Sequence, residues 1–260
     1  MDLGLAGKAA IVTGGSAGIG RGVALRLAQE GVRVAICARR AEPLEEAADA
    51  LREQTGGEVL PVAADVSKAD DVRRLIEAAV ERFGRLDILV NNAGTSSASP
   101  FADVDDGVWQ EDLDLKLFAA IRTIRLAVPH LARAGGGSIV NVVNIGAKAP
   151  PARSLPTTVS RAAGVALTKA LSKEFAPQQI RVNAVCIGLV KSDQWVRRAR
   201  ALGITLEEYY ERTARERAIP LGRVAEAEEV GDLIAFLCSE RGRYITGTAI
   251  NFDGGSSAVV

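Results

Sequence analysis

Ala9-Ala10-Ile11-Val12 runs without interruption into Thr13-Gly14-Gly15-Ser16-Ala17-Gly18-Ile19-Gly20. A short continuous apolar run that breaks at a glycine pair reads as a strand buried on both faces. Beyond the glycines, Val23, Ala24, Leu27 and Ala28 recur at helical spacing, and the pattern stops at Gly31. Gly14 permits the tight turn, Gly18 lets a ligand approach the backbone, and Gly20 lets the helix pack on the sheet. Amides and the positive end of the new helix then form a seat for a diphosphate. Strand, glycine turn and helix in this order open a parallel α/β sheet.

The same alternation continues to the end of the chain. Val32 to Ala38 reads as a second strand and Val59-Leu60-Pro61-Val62 as a third. Pro61 cannot donate an amide, which suits an edge. Leu86 to Val90, Ser138 to Val143, Ile180 to Cys186 and Ala249 to Phe252 supply four more, with helical patterns between them. The chain of 260 residues shows no linker, repeat or low-complexity stretch, so residues 1–260 read as one doubly wound Rossmann-type domain. Its 32 basic and 32 acidic residues balance, which gives no general attraction to nucleic acid or anionic lipid. No apolar run is long enough to span a bilayer, and Met1-Asp2-Leu3-Gly4-Leu5 lacks the form of a secretory signal. Cys37, Cys186 and Cys238 show no metal-ligand spacing and read as reduced, buried thiols of a cytoplasmic protein.

Thr13-Gly14-x-x-x-Gly18-x-Gly20 and Asn91-Asn92-Ala93-Gly94, in this order along the chain, resemble the short-chain dehydrogenase/reductase family. So do Ile245-Thr246-Gly247 and Asp253-Gly254-Gly255, and the resemblance covers essentially the whole chain. It implies a seven-stranded parallel sheet in the order 3-2-1-4-5-6-7, and a nicotinamide dinucleotide held by the glycine segment with Ser16 and Ile19. Asp65, followed by Val66, matches the family's adenine contact, and Asn92, Ala93 and Gly94 match its close approach to the ribose. Gly188 and Ser192 match the segment that meets the carboxamide. The end of the second strand decides between the two cofactors. An acidic side chain there would grip a 2′-hydroxyl, whereas Arg39 and Arg40 suit a 2′-phosphate through forked, charge-assisted hydrogen bonds. NADP(H) is therefore expected, with NAD(H) as the alternative.

The family moves hydride with a serine and a Tyr-x-x-x-Lys pair, assisted by an asparagine on an earlier helix. At those positions this chain has Asn144, Thr157 and Arg161, with Lys116 in place of the asparagine, and no tyrosine precedes Tyr209. An aliphatic hydroxyl lies far above the pKa range of a phenol, so Thr157 cannot simply inherit proton exchange. Arg161 stays charged and can still bind ribose hydroxyls. Asn144 can donate to a carbonyl or oxyanion. Lys116 either extends to solvent or points inward, where with Arg161 it would make a cationic site suited to an anionic substrate. Tyr209 and Tyr210 either restore a phenol on closure or pack within their own segment. His130 at a helix end reads as structural, and Lys148, Arg153 and Lys191 as surface charges.

Three functions compete. The first is an NADP(H)-dependent oxidoreductase on a carbonyl or alcohol with an unusual proton donor. The second is a nucleotide-binding protein without turnover, a regulator or partner subunit. The third is non-redox chemistry: halohydrin dehalogenases resemble this family and carry arginine at the lysine position, but keep the serine and tyrosine and lose the glycine turn, the reverse of this chain. The irregular, charged segment 188–221, with Trp195, Tyr209 and Tyr210, reads as a lid over a small-molecule substrate. The resemblance also implies a homotetramer.

Overall fold

A computed structural model describes residues 2–192 and 194–260. Met1 of the N-terminal start and Asp193 of the 188–221 segment lie outside the described residues. Seven parallel strands form one sheet in the order β3-β2-β1-β4-β5-β6-β7. They are β1 (Ala9–Thr13), β2 (Arg33–Ala38), β3 (Val59–Ala63), β4 (Ile88–Asn91), β5 (Gly137–Asn144), β6 (Ile180–Ile187) and β7 (Ala249–Phe252). The expected order and strand identities hold, and Pro61 does sit on the edge strand β3. Differences in strand limits are confined to one or two residues at the ends.

Among the described residues, nine α-helices connect the strands: α1 (Gly18–Gln29), α2 (Ala41–Thr55), α3 (Ala69–Phe83), α4 (Asp106–Leu113), α5 (Ala119–Arg133), α6 (Thr157–Glu174), α7 (Gln194–Leu202), α8 (Leu206–Glu216) and α9 (Ala227–Cys238). On one face, α1, α2 and α9 bury residues such as Val23, Leu27, Leu44, Leu51 and Ile234. On the other, α3 and α5 bury Val72, Leu75, Ile124 and Leu131, with Leu167 and Leu171 of α6 packed alongside. Every residue of β1 is buried, as a central strand covered on both sides requires. Cys37, Cys186 and Cys238 are buried and free, and burial pushes the Cys37 thiol up to about 12. No helix is long and apolar enough to cross a membrane among the described residues.

The 188–221 segment differs from its reading as irregular chain, because it folds into α7 and α8. Thr205 caps α8 reciprocally with Glu208, each side chain meeting the other's backbone amide. Ala214, Tyr210, Ile219 and Val224 form a small core beneath the pair, and Tyr209 stacks on Trp195 at 5.9 Å.

Candidate active site

In the sheet order, the outward path β1-β2-β3 and the path starting at β4 diverge between β1 and β4, and ligands of open α/β sheets bind beyond the carboxyl ends of strands at such a crevice. The glycine turn stands there. Gly14 and Gly18 adopt φ of +68° and +52°, which side chains rarely tolerate. A methyl on Gly20 would lie 2.1 Å from the Gly14 carbonyl oxygen and 2.6 Å from Asn92 Nδ2. Ala17 precedes α1 without contributing a side-chain cap, so the amides of the first turn have no side-chain acceptor. Thr13 Oγ1 accepts from the amides of Asn92 and Ala93, and Asn92 Nδ2 donates to the Thr13 carbonyl at 2.9 Å. Those bonds bind the end of β4 to the turn.

The remaining residues of that expectation follow the carboxyl ends of β2, β3 and β6. Ser192 Cβ would meet a methyl on Gly18 at 3.1 Å, and its buried Oγ has no hydrogen-bond partner among the described residues. Gly188 runs against Asp253, where a side chain would come within 2.8 Å of the backbone. Arg39 and Arg40 are exposed beyond β2 and have no ion-pair partner among the described residues. Arg39, Asp65, Ser97 and Asp112 line one groove of about 460 Å³. Asp65 Oδ1 is engaged by Ser67 at 2.7 Å, and Val66 is buried in the core. Ser16 and Ile19 lie half-buried in the turn. A diphosphate and a charged ribose phosphate fit these residues. Backbone donors and buried unpaired polar atoms at one end, with free guanidinium groups at the other, are the chemistry such a ligand needs.

Lys116 does not extend to solvent. The chain between α4 and α5 makes one wide π turn over Asp114–Phe118, and the inserted residue swings Lys116 inward. Its ammonium is buried, pairs with the Asp112 carboxylate one turn earlier, and donates to Thr157 Oγ1 at 3.2 Å. Asp112 Oδ2 accepts from Ser160 Oγ at 2.6 Å. Thr157 Oγ1 also accepts from the Ser97 amide at 2.9 Å. Thr157, Ser160 and Arg161 share the first turns of α6, which begins directly after Pro156. Arg161 is half-buried and donates through Nη1 to the Val142 carbonyl at 2.8 Å, while its buried Nε finds no partner among the described residues. Gly94 makes room for it, since a methyl there would sit 2.5 Å from Nη2. Asn144, at the end of β5, has a buried Oδ1 without a partner among the described residues.

Burial sets the electrostatics. Desolvation pushes Arg161 down to about 10, partly opposed by the Asp112 charge. Desolvation also lowers the Lys116 ammonium, with a smaller push from Arg161, against the hydrogen bond and charge of Asp112. The sequence pattern gave two cations here, whereas the fold adds a buried carboxylate that offsets one of them. That removes much of the electrostatic case for an anionic substrate. Asp112 and Ser160 escaped the sequence reading, although the i,i+4 spacing of Asp112 and Lys116 was a signal for the pair.

Other readings resolve clearly. Tyr210 is packed in the α8 core with its hydroxyl accepting from the Ser192 amide at 3.3 Å, and Tyr209 stacks on Trp195. Lys148 is not a surface charge: it is half-buried and donates to Asn251 Oδ1 at 2.7 Å, tethering the loop after β5 to β7. Lys191 pairs with Glu226, and Arg153 is exposed. His130 lies half-buried in the last turn of α5, and burial lowers its pKa.

The fold and this crevice define a doubly wound α/β protein with a dinucleotide-type glycine turn. Residues 14–257 match the sequence family described as enoyl-(acyl carrier protein) reductase. The chain belongs to the short-chain dehydrogenase/reductase family. It is 41% identical over 251 residues to a putative ketoacyl reductase of the granaticin polyketide synthase from Streptomyces violaceoruber, covering 95% of each chain. L-sorbose reductase from Gluconobacter frateurii, solved with NADPH and L-sorbose, superposes with a TM-score of 0.96 at 37% identity over 100% of both chains. An NADPH-bound short-chain oxidoreductase from Pseudomonas aeruginosa, described as containing an atypical catalytic center, gives 0.92 at 38% identity, covering 97% of this chain and 98% of that one.

Proposed function

We propose that this protein is an NADP(H)-dependent oxidoreductase that interconverts a carbonyl compound and an alcohol, with Thr157 and Lys116 handling the proton in place of a phenol. The observation that carries the reading is the bonding of Thr157 Oγ1. It accepts from both the Ser97 amide and the Lys116 ammonium, so both lone pairs are engaged and its single proton remains to be donated. Bound NADPH supplies the hydride. The Thr157 hydroxyl gives its proton to the carbonyl oxygen of the substrate as Lys116 Nζ passes one to Thr157 Oγ1. Lys116 is left as a neutral amine, to be reprotonated from solvent. Thr157 on its own is too weak an acid, and the lowered lysine pKa brings the reservoir behind it closer to working pH. Asn144 Nδ2 would donate to the same substrate oxygen, and Arg161 would hold the cofactor ribose and keep positive charge beside the reacting atoms.

The relatives support this reading. Both solved neighbours named above hold NADPH, one together with L-sorbose, and the Pseudomonas protein is described as containing an atypical catalytic center. Arg39 and Arg40 favour NADP(H) over NAD(H). Helices α7 and α8 act as the substrate lid, and self-association to a homotetramer would cover Phe118 and Val159, which are 40% and 45% exposed. Light scattering of the purified protein checks the assembly.

The test follows NADPH absorbance with ketones, aldehydes and 3-oxoacyl thioesters. Thr157→Val keeps the shape and removes the hydroxyl, and is expected to lower kcat by about 100-fold or more while NADPH binding holds. Tight NADPH binding without reduction of any such substrate would instead favour the nucleotide-binding protein without turnover.

A further inference from the structure

Asp112 is a buried carboxylate that the family pattern did not lead us to expect. An ionised carboxylate out of water is costly unless its oxygens are paired, and here they are divided between two partners. Oδ1 takes the Lys116 ammonium and Oδ2 takes Ser160 Oγ at 2.6 Å. Ser160 stands three residues beyond Thr157 on α6, so the carboxylate spans from α4 to the helix that carries the proton donor. A lysine on a flexible four-carbon stem has many positions available to it. Asp112 and the π turn leave it one, with Nζ at 3.2 Å from Thr157 Oγ1. The charged groups that face Lys116 are Asp112 from α4 and Arg161 from α6, which act on it with opposite sign.

We infer that Asp112, braced by Ser160, is a positioning residue that holds the Lys116 ammonium on Thr157 Oγ1 and thereby sets the pH range over which a proton can be delivered. The inference rests on the role given to Lys116 and Thr157 above. It differs from a purely structural ion pair in what it controls. Losing Asp112 removes the counter-charge that keeps Lys116 protonated beside Arg161, so the amine becomes neutral at lower pH and the reservoir empties there.

The experiment compares the NADPH-saturated wild type with Asp112→Asn and Ser160→Ala. Lysine side-chain ammonium resonances are followed by nitrogen-15 NMR against pH, with Lys116→Arg to assign the signal. Steady-state carbonyl reduction is measured over the same range. In Asp112→Asn the Lys116 midpoint is expected to fall by about one pH unit or more, a tenfold change in its protonation equilibrium. The high-pH limb of kcat moves down with it while KM changes little. Ser160→Ala shifts both in the same direction by less. An unmoved Lys116 midpoint in the variants overturns the inference, as does a rise in KM with an unchanged pH profile of kcat. Should Asp112→Asn fail to fold, Ser160→Ala decides by the same two criteria. A wild type that binds NADPH but reduces nothing defeats the proposed function alone, because the NMR titration still reports whether Asp112 holds the ammonium.

Discussion

Lys116→Met tests whether the buried ion pair is as dry as the structure has it. The side chains of Lys116 and Asp112 are 1% and 0% exposed. Methionine fills most of the lysine stem but leaves the Asp112 carboxylate with only Ser160 as a side-chain donor. Breaking a buried pair by removing one partner costs about 3–5 kcal/mol, since the remaining charge has neither water nor counter-ion. For a chain of this size each kcal/mol lowers Tm by roughly 2–4 °C, so a drop of about 6–20 °C is expected. Lys116→Met with Asp112→Leu removes both charges, and should recover most of that loss because an apolar replacement of a buried pair is often neutral or stabilising. Circular-dichroism melts without cofactor at neutral pH read both effects. A single variant that melts within about 3 °C of wild type would mean the carboxylate is solvated, and a double variant no more stable than the single would mean packing, not charge, dominates.

Three further outcomes are expected. Gly20→Ala forces a methyl to within 2.1 Å of the Gly14 carbonyl, so the turn must open; NADPH affinity by calorimetry should fall at least about tenfold. Arg39→Ala combined with Arg40→Ala removes the free guanidinium groups beyond β2 and should weaken NADPH by about 10- to 100-fold while leaving NADH nearly unchanged, measured by fluorescence titration. Glu229 is held down to about 2, first by the Arg223 hydrogen bond and then by the Glu226 amide. A depressed carboxyl stabilises the fold fully above its unfolded value of 4.5 and loses that contribution as pH falls from 4.5 toward 2. Arg223→Met should therefore lower the urea midpoint at pH 7 and flatten its decline through the acid range.

Local pattern alone was enough for the scaffold. A buried strand must be apolar along its whole length, and a helix beside it apolar on one face, so β1, α1 and the later strands could be read from residue spacing. The glycine turn is equally local, because its conformation depends on Gly14, Gly18 and Gly20 themselves. The side chains of Asn144, Thr157, Arg161 and Lys116 were visible as identities. Helices α7 and α8 were readable in part, since Thr205 and Glu208 form a capping signal ahead of α8, but the charged composition obscured it. Which way Lys116 points was not readable. Its direction comes from the π turn, and a wide turn has no sequence signature separable from an ordinary helix. Asp112 and Ser160 meet across 48 residues of chain, and Lys116 and Thr157 across 41. Residue identity therefore determined which side chains stand at Asn144, Thr157, Arg161 and Lys116. Only tertiary packing decided that Lys116, Asp112 and Thr157 meet, because burial is what makes a lysine, a carboxylate and a threonine hydroxyl act on one another rather than on water.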